Sequence, residues 1–176
     1  MRFFRFIVPL ALVMNASADG VWLDVPFVAQ LKNGCGAAVV SMICRYWRVH
    51  GAVRIPDPNP AEILKELYEP KARGIYGKEM QRYLEDAGFR VFILRGGWTD
   101  LSTHLAKGRP LIAGLGPGNR GALHYVVVAG VDTAQNQVLL NDPAGRKLRK
   151  IDRKDFEKQW SVTGNWTLLA VPRQEP

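Results

Sequence analysis

"ALHYVVVAGVDTAQNQVLLND" (residues 122–142) decides the fold. Two apolar, β-branched runs, "HYVVVAGVD" (124–132) and "VLLND" (138–142), flank the polar turn "AQNQ". Short runs of this kind with a polar turn between them read as a β-hairpin. The competing reading hangs on the segment just before. "GPGNRG" (116–121) has G-x-G-x-x-G spacing and follows a strand-like run. Asp142 even lies about 20 residues on, as in a dinucleotide fingerprint. That fingerprint must open a helix, and "ALHYVVVAG" is β-rich, with Pro117 inside the turn. The glycines therefore read as a long hairpin loop.

Working outward, "RKLRKI" (146–151) and "NWTLLAVP" (165–172) read as further strands, with "DRKDFEKQW" (152–160) a helix before the last. Upstream, helices come first. One spans about 35–48, with Val39, Met42, Ile43, Tyr46 and Trp47 as its apolar stripe. "AEILKELY" (61–68) is a second. "GKEMQRYLEDAGF" (77–89) is a third, with Met80, Tyr83, Leu84 and Ala87 on one face and Gly88 as stop. "RVFIL" (90–94) is a strand. "WTDLSTHLAKG" (98–108) is a helix capped by Thr99 or Asp100 and stopped by Gly108, and "PLIAGL" (110–115) is a strand. "VWLDVPFVA" (21–29) is an extended lead-in. "GAVRIPDPNP" (51–60) is a loop, because neither flank is long enough to fold alone. Helices first and a mostly antiparallel sheet second make an α+β domain.

The first 18 residues stand apart. "MRFFR" is a positive n-region, "FIVPLALVM" a short apolar h-region, and Ala16 and Ala18 form an A-x-A end. Residues 1–18 therefore read as a signal peptide cleaved before Asp19, leaving 19–176 as the domain. The apolar run is short and broken by Pro9, so the mature chain is expected to have no stable membrane span and to be periplasmic or secreted. The formal charge of +8 is scattered. The densest basic run, "GRKLRKIDRK" (145–154), reads as a solvated strand edge passing into a helix. No nucleic-acid module is visible. Without C-x-x-C or H-E-x-x-H, and with three scattered histidines, no metal or other cofactor is expected.

Two cysteines, Cys35 and Cys44, fall in one predicted helix. Nine residues place them roughly 13.5 Å apart along the axis. A disulfide needs Cα atoms within roughly 7 Å, so they should not pair. Cys44, among Met42, Ile43 and Trp47, reads as a small core residue. Cys35 opens the helix, where backbone N–H groups favour a thiolate. Gly34 and Gly36 are expected to leave room for a substrate backbone, and Ala37 and Ala38 to keep the first turn slim.

A thiolate needs a base and an orienter. His50 reads as a C-terminal cap and His104 as a half-exposed helix residue. His124 starts a strand, on the face of Val126 and Val128, and its place at a strand mouth suits a base. Asp142 ends the next strand and could hold the imidazole Nδ1–H. Asn141 is a rival orienter, but alternation sends it to the opposite face. Gln30, five residues before Cys35, could supply an oxyanion donor beside the Cys35 backbone N–H.

"QLKNGCGAA", "ALHYVVVAGVD" and "VLLNDPAG" together resemble the C39 and C39-like cysteine peptidases. The resemblance runs from Val25 to Val171. It implies a papain-like fold and a thiol protease, with Cys35 as nucleophile, His124 as general base, Asp142 as its orienter and Gln30 completing the oxyanion hole. It implies no cofactor, and a peptide or protein partner such as a secreted peptide or envelope protein. The best-known members are domains of bacteriocin-processing exporters that cut leader peptides after a double glycine, so a Gly-Gly-type site is part of what it implies. Here Gly34 stands where many exporter-type members have an acidic residue, and no transporter part is present. Acyl transfer or amide cleavage at the same site, and peptide binding without cleavage, are the alternatives. Cell-wall peptidases of the NlpC/P60 type use similar chemistry, but their D-C-S-G pattern is absent.

Overall fold

The computed structural model describes residues 20–117 and 123–173. The expected signal peptide, and Gly118–Gly121 of the expected hairpin loop, lie outside the described residues. The elements run β1 (Gly20–Trp22), α1 (Cys35–Val49), α2 (Pro60–Leu67), α3 (Gly77–Asp86), β2 (Phe89–Arg95), α4 (Trp98–Ala106), β3 (Leu111–Leu115), β4 (His124–Asp132), β5 (Gln137–Asn141), β6 (Arg149–Asp152), α5 (Arg153–Ser161) and β7 (Trp166–Pro172).

Among the described residues the strands form one sheet in the order β2-β7-β3-β4-β5-β6. Every pairing in it is antiparallel. β4 is the hub: β5 takes one edge, while β3 and β1 share the other along Leu115–Leu111 and Gly20–Trp22. No helix follows "GPGNRG" on to the strand; β4 opens at His124, which disposes of the dinucleotide reading.

Two cores flank the sheet. On one side α1, α2 and α3 pack with Ile112, Val127, Ala129, Leu168 and Ala170. On the other, Leu101 and Leu105 of α4 and Phe156 and Trp160 of α5 pack with Val126, Val128 and Val131. Helices therefore cover both faces, and the fully apolar run of β4 is what a strand buried on both faces requires. A register shift between Val128 and Gly130 explains why Val128 and Val131 share a face.

α1 corrects an expectation. The stripe was read as one apolar face, but residues 36–44 and Tyr46 are all buried. A helix enclosed on every side is apolar all round, and it explains the small residues Gly36, Ala37, Ala38 and Ser41. Asn59 caps α2 through its side chain, with Pro60 at the first helical position. In α4 neither Thr99 nor Asp100 is the cap. Gly97 is, and the Asp100 carboxylate accepts its backbone N–H at 2.7 Å. "RKLRKI" is a strand only from Arg149, because Leu148 adopts a left-handed backbone, φ 49°. No helix among the described residues is long and apolar enough to cross a membrane.

Candidate active site

The site lies where the N-terminus of α1 meets the mouth of β4. Asn33 turns the chain with φ 60°, and Gly34 precedes the helix without a side-chain cap. The first-turn N–H groups are thus left for another acceptor. The backbone N–H groups of Gly36 and Tyr125 both donate to the Cys35 sulfur.

The two flanking glycines serve packing rather than substrate approach. A Cβ on Gly34 would lie 3.1 Å from the Leu31 carbonyl oxygen and 3.3 Å from a Leu64 methyl. One on Gly36 would lie 3.1 Å from Ile75 Cβ and 3.2 Å from Met80 Sδ. The first turn of α1 is slim because α2, α3 and the Ile75 loop press on it.

Both cysteines are free. Cys35 is partly exposed and hydrogen-bonds the His124 side chain. On the far side of the ring, His124 Nε2 lies 2.7 Å from Asp142 Oδ1. The acid therefore holds Nε2, not the expected Nδ1, which leaves Nδ1 for the thiol. Asp142 is buried and well supplied with donors. Its Oδ1 also accepts the Ala144 N–H at 3.1 Å, and its Oδ2 accepts Arg149 Nη1 at 2.8 Å.

These contacts set the charges. Burial pushes the Cys35 thiol up, but the His124 hydrogen bond, the Tyr125 N–H, the His124 charge and the Gly36 N–H together hold it below its ordinary value. Burial lowers His124, but its bonds to Asp142 and Cys35 raise it to about 9. Asp142, against its own burial, is brought down to about 2, first by the His124 hydrogen bond. The three groups thus favour a thiolate, an imidazolium and a carboxylate in series. An imidazole so held can exchange a proton with the sulfur while its orientation stays fixed.

Gln30 is tied to the same corner. Its backbone N–H donates to the Pro143 carbonyl at 2.9 Å, one residue past Asp142. Its side-chain Oε1 is buried without a partner. Asn141 is structural: its amide donates to the Val25 carbonyl at 2.9 Å and its Oδ1 accepts the Leu148 N–H at 2.9 Å. His50 and His104 stay out of the site. His50 ends α1, with Nδ1 2.8 Å from the Tyr46 carbonyl oxygen. His104 lies on α4, half-buried, its Nδ1 without a partner.

Sequence reasoning missed two residues. Arg149 was absorbed into a solvated basic edge, yet it pairs with Leu140 across β5–β6 and reaches Asp142. The signal was available in principle, since a strand returning beside "VLLND" must set one of its side chains next to the acid. Tyr125 was read only as a strand residue. Its backbone donates to Cys35, and its hydroxyl, pushed up to about 12 chiefly by burial, accepts the Gly77 N–H.

A family model described as the Peptidase_C39 like family matches residues 22–168. No curated protein sequence matches the chain. Several solved structures share its fold. One described as a C39-like peptidase from Bacillus anthracis is 20% identical, with TM-score 0.67, over 89% of this chain and 99% of that one. The peptidase domain of Streptococcus ComA, a bifunctional ABC transporter of a quorum-sensing pathway, is 21% identical with TM-score 0.65, over 84% and 98%. A double-glycine-motif protease from an AMS/PCAT transporter, solved with its leader peptide, is 18% identical with TM-score 0.66, over 87% and 95%.

Proposed function

Because the chain belongs to the Peptidase_C39 like family and is a cysteine peptidase, we propose that Cys35, His124 and Asp142 are its catalytic triad and that Gln30 helps form its oxyanion hole. The observation that carries this reading is the continuous series from the Cys35 sulfur through His124 to Asp142, 2.7 Å at its second link.

The thiolate attacks a peptide carbonyl, and the developing oxyanion is met by the Cys35 backbone N–H and the Gln30 amide. His124, protonated at rest, gives its proton to the leaving amine as the C–N bond breaks. It then takes a proton from water, which attacks the thioester and releases the acid and free Cys35. Asp142 holds the ring through Nε2 and stabilises the imidazolium. Arg149 and the Ala144 N–H keep Asp142 ionised and aimed. The unpartnered buried Oε1 of Gln30 supports a functional role, since an unsatisfied buried acceptor is otherwise costly.

The substrate is a peptide or protein, in keeping with the leader peptide bound to the AMS/PCAT neighbour. A Gly-Gly-type cleavage site, named for that neighbour, is one version of it. The signal-like residues 1–18 place the reaction outside the cytoplasm, and a mature N-terminus at Asp19 in the exported fraction is the expected result of N-terminal sequencing. Incubating wild type and Cys35→Ala with a peptide library tests the chemistry: cleavage should require Cys35, and equal turnover by both would refute the assignment. Acyl transfer would give amine-linked products when amines are added; hydrolysis gives free acids only.

A further inference from the structure

Beside the triad the two halves of the molecule part to leave a cleft of ≈ 630 Å³. Its sheet-side wall is Leu123 and Tyr125, the residues on either side of His124, backed by Trp166 and Val162. Its helix-side wall is the start of α3 at Tyr76 and Gly77. The cleft is continuous with the site, because Tyr125 lines it with its ring and donates to Cys35 with its backbone.

The walls are apolar and unusually open to solvent. Leu123 is 57% exposed and Val162 63%. Exposed apolar groups lining a concavity mark a place where another apolar group is covered. The polar atoms of the cleft are already occupied. The Tyr125 hydroxyl accepts the Gly77 N–H. The Thr163 hydroxyl donates to carbonyl oxygen, 2.7 Å from Gly114 and 2.8 Å from Trp160. Little is left to hydrogen-bond a polar side chain. The floor is rigid: the Tyr125 and Trp166 rings lie 5.4 Å apart, and a Cβ on Gly77 would come within 2.7 Å of the Trp166 ring. The cleft therefore persists when empty and does not close around a glycine.

We propose that this cleft is a specificity subsite that takes a bulky aliphatic or aromatic side chain of the peptide, within three residues of the scissile bond, so that the preferred substrate is not a Gly-Gly peptide. The proposal rests on the peptidase reading above. A side chain filling the cleft covers Leu123 and Val162, whereas glycine leaves both walls wet.

A proteome-derived peptide library is digested with wild type, Cys35→Ala and Val162→Asp, and the cut sites are mapped by mass spectrometry. Wild type should show Leu, Phe, Tyr or Met enriched at one fixed position near the bond. Matched synthetic peptides with Phe or Gly at that position should differ roughly 10- to 100-fold in kcat/KM. Val162→Asp puts a charge into the wall and should cut that ratio at least about tenfold, while iodoacetamide still labels Cys35 at the wild-type rate. Leu123→Asp provides the same test from the other wall if the first variant fails to fold. Cys35-dependent cleavage with a Gly-Gly consensus, with no apolar enrichment, or with a ratio untouched by both variants overturns the subsite alone. Absence of any Cys35-dependent cleavage overturns the peptidase reading and the subsite with it.

Discussion

Cys35 and Cys44 stand nine residues apart on one helix and have opposite chemistry. Cys44 is fully buried in the core and its thiol is pushed up to about 12, first by burial and then by the Asp57 charge. Cys35 is also substantially enclosed, yet its thiol is held below the ordinary value. Burial penalises both thiolates. What separates them is donors: His124 and two backbone N–H groups surround Cys35, and nothing of the kind reaches Cys44. The lesson is that a cysteine's reactivity follows the groups facing its sulfur, not its depth.

The comparison breaks most sharply at His124. His124→Ala removes the group that both lowers the thiol and carries the proton. Hydrolysis should fall by about 10⁵- to 10⁶-fold, and Cys35 should then resemble Cys44. Asp142→Asn leaves the ring but supplies the wrong partner at Nε2; steady-state kinetics should show a loss of about 10⁴-fold. A loss below about tenfold in either variant would remove that residue from the mechanism.

Alkylation sharpens the contrast directly. At neutral pH iodoacetamide should label Cys35 at least about 100-fold faster than Cys44, read by peptide mass spectrometry. The pH dependence has a definite sign. The ion pair exists above the lowered Cys35 value and below the His124 value of about 9. Turnover should rise with pH as the thiol ionises and fall again as His124 loses its proton near 9. In His124→Ala only burial's upward push and the backbone donors remain, so the labelling profile should move to higher pH. Equal labelling of the two thiols in folded protein would erase the distinction.

Smaller effects come from the periphery. Arg149→Ala frees Asp142 Oδ2 but leaves the His124 bond intact, and Arg149 is partly solvated. We expect kcat/KM to fall about three- to tenfold, with Arg149→Lys recovering part of it. Cys44→Ala should leave kcat/KM within about twofold and cost about 1 kcal/mol in denaturant unfolding, since it empties a small buried volume.

The expected elements largely match those of the structure because the patterns that mark them are local. The period-2 run of β4, the prolines after α1 and the stop at Gly88 each state their element within a few residues. The misreadings share one cause. The apolar stripe of α1, the purpose of Gly34 and Gly36, the cap of α4 and the solvated edge at 145–154 all depend on what packs from elsewhere in the chain. Gly36 means little until Ile75 and Met80 are seen against it. Arg149 looks solvated until β6 returns beside β5 and sets it on Asp142.

By itself the sequence determined an α+β domain, the separation of the two thiols by more than a disulfide can span, and the short list Cys35, His124, Asp142 and Gln30. These follow from periodicity, rise per residue and side-chain chemistry, all readable along the chain. Only the tertiary structure decided that Asp142 takes Nε2 rather than Nδ1, that Arg149 belongs beside it, and that Tyr125 joins the Cys35 sulfur to an apolar cleft. Those are relations between residues on separate elements. They are set by how the sheet brings β3, β4 and β6 together, which no local pattern encodes.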